Sequence, residues 1–329
     1  MTEELKTKRI GFLGMGSMGF PICCGLVRNG YSVMLPMWRY KSSLEHGYSP
    51  LAPNKEKKEE MYRWMLSQGA VQVFSQKEML KNSEILILSL PSSKQVENII
   101  EGQDGVLQLC RKGTIIVDLT SADYQSTKRL SAKLQQAGMH ILDAPVSGGP
   151  KGASEQTLTV MVGGNRGIYE RMLPILTTIG SAEKVNYIGE SGSGDLLKCC
   201  NNYLTATALV ASTQALAVCA KGGIDPEQAA RIISESSGSN NAVKVKYPQI
   251  VFPGGKWNFT LGLMKKDVGL FQSSAQSMEI TGTIADEVEK ILQNFSQNYG
   301  ENADLTIIPE MIGKITETKL YDIDKNSPF

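Results

Sequence analysis

Short apolar runs separated by amphipathic stretches occupy the first half of the chain. Read as strands, they lie at residues 9–13, 31–35, 71–74, 84–90, 114–119, 140–144, 158–162 and 184–187. Several of the gaps suit helices. Ser75-Gln76-Lys77-Glu78 reads as a capping box that opens one of them, and Gly30 closes another begun near Ser17. Strand–helix alternation of this kind predicts an α/β fold built on a doubly wound, largely parallel sheet.

From residue 194 onward the pattern becomes almost wholly helical. Asp225-Pro226-Glu227-Gln228 supplies an N-cap, a first-turn proline and an N3 partner, and Gly222-Gly223 ends the helix before it. Further helices are expected at 261–278, 284–297 and 304–316. The change of pattern sets a boundary near Ser191. Residues 1–190 then form the strand-containing domain, and 191–329 an all-α domain that includes a long interdomain helix. The most apolar stretch, 203–220, contains three threonines, Ser212 and Gln214, so it reads as a buried or interface helix rather than a membrane span. Residues 40–68 carry Pro50, Pro53 and the charge run 55–60, after which Met61, Trp64 and Met65 recur at helical spacing. This predicts a surface loop leading into a solvated helix with one packed face.

Composition narrows the class. The chain has 329 residues, enough for a full core and two domains, with 41% hydrophobic and 20% charged residues. Lys plus Arg is 34 against 33 for Asp plus Glu, a net charge of +1 that gives no reason to expect a nucleic-acid or membrane partner. The six cysteines form no C-x-x-C pair and read as reduced, intracellular thiols. The acidic start Met1-Thr2-Glu3-Glu4-Leu5 does not read as a secretory signal, so a cytoplasmic location is expected. Neither His46 nor His140 has a partner at metal-ligand spacing, and no metal site is expected.

Three segments carry chemistry. Gly14-Met15-Gly16-Ser17-Met18-Gly19 matches G-x-G-x-x-G directly after the first strand and opens a helix. In that context Gly14 permits a tight turn, Gly16 lets the backbone approach a pyrophosphate, and Gly19 lets the helix pack on the strand. This is the turn of a Rossmann-type dinucleotide-binding domain. No Asp or Glu lies between Arg9 and Leu44. Arg39 and Lys41, with Ser42 and Ser43, sit where the second strand should end. A ribose 2′-phosphate suits these residues better than a bare hydroxyl, so NADP is favoured over NAD. The second segment, 143–153, follows a strand. The backbone N–H groups of Ser147, Gly148 and Gly149 and the Ser147 hydroxyl suit either a bound carboxylate or a structural glycine turn. The third segment, 192–202, starts the long helix. It places Lys198 and Asn202 four residues apart on one face, a pairing suited to proton transfer and substrate hydrogen bonding.

Together these segments resemble the β-hydroxyacid dehydrogenase family, which includes 3-hydroxyisobutyrate dehydrogenase and tartronate semialdehyde reductase. Residues 11–19, 143–149 and 192–202 stand in the family's order, and the resemblance runs from about Arg9 to Thr316. It implies an NAD(P)-dependent oxidoreductase that interconverts a small β-hydroxy acid and its semialdehyde or keto acid. It implies Lys198 as the catalytic lysine, Ser147, Gly148 and Gly149 as the substrate-carboxylate turn, and Asn202 as the substrate-binding amide. Cofactor contacts are implied for the glycine turn, Leu90, Pro91, Gln95, Ser121 and Lys266. Lys265 beside Lys266 leaves open which lysine faces the cofactor. A homodimer or homotetramer is also implied. Other readings on this fold are disfavoured: a non-catalytic binding module would be expected to lose the lysine, an imine reductase should replace it, and a 6-phosphogluconate dehydrogenase should carry His-Asn where this chain has Asn201-Asn202.

Overall fold

The computed structural model describes residues 2–36, 55–281 and 283–320. The described chain forms two compact units, Met1–Lys198 and Cys199–Phe329.

The first unit is built on one nine-stranded sheet: β1 Ile10–Leu13, β2 Val33–Pro36, β3 Val71–Val73, β4 Ile85–Leu88, β5 Ile115–Asp118, β6 His140–Asp143, β7 Val146–Ser147, β8 Leu158–Gly164 and β9 Gly180–Gly189. Their spatial order is β3-β2-β1-β4-β5-β6-β8-β7, with β9 beside β8. The six strands from β3 to β6 are parallel. β8 runs antiparallel to β6 and β7, and parallel to β9. The chain moves outward from β1 in both directions, so a topological switch falls between β1 and β4.

The strands are buried on both faces, and their residues divide with a period of two. Ile10, Phe12, Ile85, Ile87, Ile115 and Val117 join one core cluster. Leu13, Leu86, Leu88 and Ile116 join another. Helices cover the two faces. α1 Thr2–Lys6, α2 Gly19–Arg28, α3 Lys55–Ser67, α8 Gly149–Glu155 and α9 Arg166–Leu176 contribute Leu5, Leu26, Met65, Ala153 and Met172 to the first cluster. On the other face lie α4 Gln76–Asn82, α5 Ser93–Glu101, α6 Val106–Leu109 and α7 Tyr124–Gln136, with Met79, Ile99, Val106 and Leu130 buried. A central strand enclosed by two apolar layers needs unbroken apolar sequence, and that is why these runs were legible as strands.

Local details differ from the sequence expectation. α2 begins at Gly19 rather than near Ser17. It ends at Arg28, with Gly30 at φ +79° just beyond it. Ser75 accepts from the Glu78 N–H as expected, but the Glu78 carboxylate accepts from Phe74 N–H rather than completing the box at Ser75. β9 starts at Gly180, four residues before the expected strand, because 180–184 carries no apolar run. β7 is only two residues long and was not foreseen. In α3, Tyr62 and Met65 are buried and Arg63 is exposed, the one-sided packing expected of that helix.

α10 Ser193–Lys221 begins in the first unit and continues into the second. The second unit adds α11 Pro226–Ser234, a π-helical segment Ala242–Val251, α12 Leu261–Ser277, α13 Thr283–Tyr299 and α14 Ile307–Ile315. Asp225 caps α11 by accepting from Gln228 N–H. Its core joins Leu209 and Leu216 of α10 to Leu261, Met264 and Val268 of α12 and Val288, Leu292 and Phe295 of α13, all at helical spacing. α10 is long and apolar enough to cross a membrane, with mean hydropathy 1.4 over its best window. In the structure it buries Ala206, Leu209, Val210, Leu216 and Ala217, while Leu204 and Val218 stay 63% and 73% exposed.

Candidate active site

Parallel strands bring the chemistry-bearing segments to one edge of the sheet. β1, β4, β5 and β6 end at Leu13, Leu88, Asp118 and Asp143. The glycine turn 14–19, the 89–95 loop, the 119–121 loop and the 144–149 turn therefore all leave the carboxyl edge, beside the switch point where open α/β sheets bind ligands.

The three glycines of the first turn are constrained differently. Gly14 has φ +104°, and a Cβ there would lie 2.0 Å from the Ser89 carbonyl oxygen. A Cβ on Gly19 would lie 1.8 Å from the Gly14 oxygen. Both are needed by the fold itself. A Cβ on Gly16 meets no described atom within 4 Å. Packing does not explain glycine at 16, and the open space there leaves room for a ligand. Met18 caps α2 without a side-chain hydrogen bond, and no acidic residue occupies the first turn. The helix N-terminus is thus compatible with an anion. The residues present fit a dinucleotide at this turn.

The neighbouring loops are tied together. Leu90 N–H donates to Thr120 Oγ1 at 3.0 Å, and Thr120 N–H donates to Asp118 Oδ1 at 3.0 Å. Ser92 and Gln95 are hydrogen-bonded in the first turn of α5. Asp123 N–H donates to Ser93 Oγ at 2.7 Å. Leu90, Pro91, Gln95 and Ser121 are therefore carried on two adjoining, mutually bonded loops. Arg39, on which the preference for NADP rests together with Lys41, Ser42 and Ser43, lies outside the described residues.

At the second turn, Ser147 ends β7, held in register by Thr159 of β8. Gly148 and Gly149 take φ +135° and +67°, and Gly148 caps α8 without a side-chain bond. A Cβ on Gly149 would enter open space, while one on Gly148 would press on Leu158 at 2.9 Å.

The start of α10 is anchored in the same unit by two buried carboxylates, Asp143 and Asp195. Asp143 Oδ1 accepts from Gly192 N–H at 2.8 Å, and its Oδ2 accepts from Gly194 and Asp195 N–H at 2.9 and 3.2 Å. Asp143 is thus an N-cap delivered from a strand rather than from the helix's own sequence. Asp195 Oδ1 accepts from Ala122 N–H at 3.1 Å, and its Oδ2 accepts from Thr127 Oγ1 at 2.7 Å. Gly163 and Gly194 leave room for this: a Cβ on either would come within 3.0 Å of the Asp143 carboxylate. Burial pushes Asp143 up to about 6, although the donated N–H groups pull it down. Burial also raises Asp195 well above the usual carboxylate range, with the charges of Asp143 and Asp118 adding to it. One turn further on, Lys198 is 8% exposed and so is withdrawn from bulk solvent.

In the second unit, Asn202 Nδ2 donates to Asp267 Oδ2, and Asn201 Nδ2 donates to Asn202 Oδ1 at 3.1 Å. Lys266 forms a 2.9 Å ion pair with Asp267 Oδ1, and both Asn202 and Asp267 are buried. Lys265 is engaged elsewhere, with Glu301 and Ser296. Lys266, not Lys265, therefore shares a cluster with Asn202. Among the described residues no group of three or more His, Cys, Asp or Glu side chains is arranged to hold a metal.

Residues 9–189 match the profile of the NAD binding domain of 6-phosphogluconate dehydrogenase. Residues 192–312 match that of the NAD-binding domain of NADP-dependent 3-hydroxyisobutyrate dehydrogenase. The chain is 32% identical over 266 residues to 2-(hydroxymethyl)glutarate dehydrogenase of Eubacterium barkeri, covering 80% of this chain and 81% of the relative. It is 27% identical over 312 residues to 2-hydroxy-3-oxopropionate reductase of Escherichia coli, covering 95% and 99%. The structure of Mycobacterium tuberculosis 3-hydroxyisobutyrate dehydrogenase with L-serine superposes with a TM-score of 0.76 at 25% identity, covering 93% of this chain and 99% of that one.

The sheet order and its glycine turn, taken with these matches, define a nicotinamide-dinucleotide-dependent oxidoreductase acting on CH–OH donors. Within that class the chain belongs to the β-hydroxyacid dehydrogenase family.

Proposed function

We propose that the protein interconverts a short β-hydroxy acid and its semialdehyde or keto acid, with Lys198 as the general acid and base. The observation that carries this reading is that a buried lysine stands one turn into a helix whose start is clamped to the strand leading into the Ser147–Gly149 turn. The Ser147 hydroxyl and the backbone N–H groups of Gly148 and Gly149 hold the substrate carboxylate. Asn202, one helical turn beyond Lys198, binds the substrate oxygen-bearing end and is itself oriented by Asp267. The glycine turn 14–19, Leu90, Pro91, Gln95, Ser121 and Lys266 hold the dinucleotide, and NADP is favoured over NAD because of Arg39.

When bound, the nicotinamide supplies or accepts hydride at the substrate carbon. In the reductive direction Lys198 delivers a proton to the carbonyl oxygen as it becomes a hydroxyl. In the oxidative direction the neutral amine removes that proton. The family resemblance of this chain extends through Lys198 and Asn202, and Lys198 is the residue that a binding module would be expected to lose and an imine reductase to replace.

The test is turnover of purified protein with NADPH or NADH across two- to five-carbon semialdehydes and keto acids. Lys198→Met is expected to retain dinucleotide binding and lose ~10²–10⁴-fold in kcat. Near-normal kcat in that variant removes Lys198 from the role. Self-association and a cytoplasmic location belong to the same reading. The exposed Leu204 and Val218 on α10, with Ile224, Ile280 and Ile284, give the second unit apolar surface that a second copy would cover. The six cysteines are all free thiols, as a reducing compartment favours.

A further inference from the structure

Asp143 and Asp195 do more than close a helix end. Asp143 is the last residue of β6, four residues before Ser147, and its carboxylate takes the N–H groups of Gly192, Gly194 and Asp195. Asp195 in turn reaches back to Ala122 N–H, directly after Ser121, and to Thr127 in α7. The Ser121 loop is itself bonded to Leu90 through Thr120. One continuous path of hydrogen bonds therefore runs from the 89–95 loop through the 118–122 loop and the first turn of α10 to the strand that launches the 144–149 turn. Every member lies in the first unit.

We propose that Asp143 and Asp195 are positioning residues that fix the Lys198 helix at once to the substrate-carboxylate turn and to the cofactor loops. The physical basis is that a helix's own caps satisfy its first N–H groups without tying it to another segment. Three N–H groups held by one carboxylate fix both the rotation and the height of the first turn, and Lys198 stands three residues past the last of them. A displacement of about 1 Å at a reacting group can cost 10²-fold in rate. Two buried acids side by side are costly to keep, and a Ser or Asn cap would do if only the helix end needed closing. The strand-borne pair adds a link between two segments, which a local cap does not provide.

This inference rests on the Lys198 reading, and a double-mutant cycle separates the two. Asp143→Asn leaves one accepting oxygen and turns an amide N–H group toward a backbone donor, which loosens the clamp. It is expected to lower kcat by ~10–100-fold, with dinucleotide affinity within about twofold of the parent. In a Lys198→Ala background the same change is expected to alter the residual turnover by less than about twofold, since its effect passes through the missing amine. If Lys198→Ala itself keeps normal kcat, the Lys198 reading fails. If Lys198→Ala is impaired and Asp143→Asn multiplies the loss by the same factor as in the parent, or does not lower kcat at all, the positioning role is overturned. Asp195 gives a second, independent pair. Asp195→Ala breaks the links to Ala122 and Thr127 and is expected to lower kcat. Asp195→Asn keeps an acceptor for Ala122 N–H and a partner for Thr127, and is expected to restore most of that loss. Equal kcat in the two Asp195 variants overturns the proposal even if Asp143→Asn does not fold.

Discussion

The three glycines of the first turn make opposite predictions, and Gly16→Ala is the informative one. A methyl group at 16 meets no described atom within 4 Å, and Gly16 is not in the positive-φ region. Alanine there adds no clash and removes some unfolded-state freedom, so stability should be unchanged or rise by ~0.4–1 kcal/mol. Gly14→Ala is the contrast: φ +104° and a 2.0 Å approach to the Ser89 carbonyl force backbone movement and should cost several kcal/mol. For dinucleotide binding the order reverses in meaning. If a pyrophosphate lies over Gly16, the methyl group holds it off and weakens one or two charge-assisted N–H bonds, each worth about 1.5–3 kcal/mol. That corresponds to a ~10–150-fold rise in Kd for each bond lost. The assay is a fluorescence titration with NADPH and NADH, beside urea unfolding without ligand. A Gly16→Ala protein as stable as the parent that binds with ~10-fold or weaker affinity supports the reasoning. Wild-type affinity would show that no phosphate approaches at Gly16. Loss of stability comparable to Gly14→Ala would show that the open space there is not what holds glycine at this position.

The buried acids set a pH dependence of stability. Asp143 is an acid whose folded pKa is raised, to about 6 from 3.8. The native state therefore keeps a proton that the unfolded chain has released. The stabilisation it contributes is full below about 4 and lost as pH rises through about 6, an effect of up to ~3 kcal/mol for an isolated group. Asp195, raised in the same direction, steepens the decline. Asp195→Asn should flatten it, and urea unfolding of parent and variant between pH 4.5 and 7.5 checks this; parallel curves would contradict the assignment. Self-association through the second unit is expected to give a dimer or tetramer by sedimentation velocity, and Leu204→Asp with Val218→Asp should reduce it; a monomeric parent would refute that surface.

The segments of the candidate site were legible before any coordinates, though not their roles. Gly14–Gly19, Ser147–Gly149 and Lys198–Asn202 stand in short contiguous segments whose chemistry depends on local spacing. A turn needs its glycines adjacent, and a helix face needs its residues four apart. The parallel core was legible for a similar reason, since Ile85–Leu88 and Ile115–Val117 must be apolar throughout to be covered on both faces. β7 and the start of β9 were not. A two-residue strand has no period, and 180–184 is polar enough to pass for a loop.

What the chain dictated by itself was therefore local: which stretches are strands or helices, where the glycine turn lies, and which lysine and amide share a helix face. Only the tertiary structure decided which distant groups meet. Asp143 closes a helix that begins 50 residues later, Asp195 reaches Ala122 and Thr127, and Lys266 rather than its neighbour joins the Asn202–Asp267 cluster. A buried carboxylate must find donors wherever the packed chain presents them, and no sequence period records a partner chosen by the stacking of strands and helices.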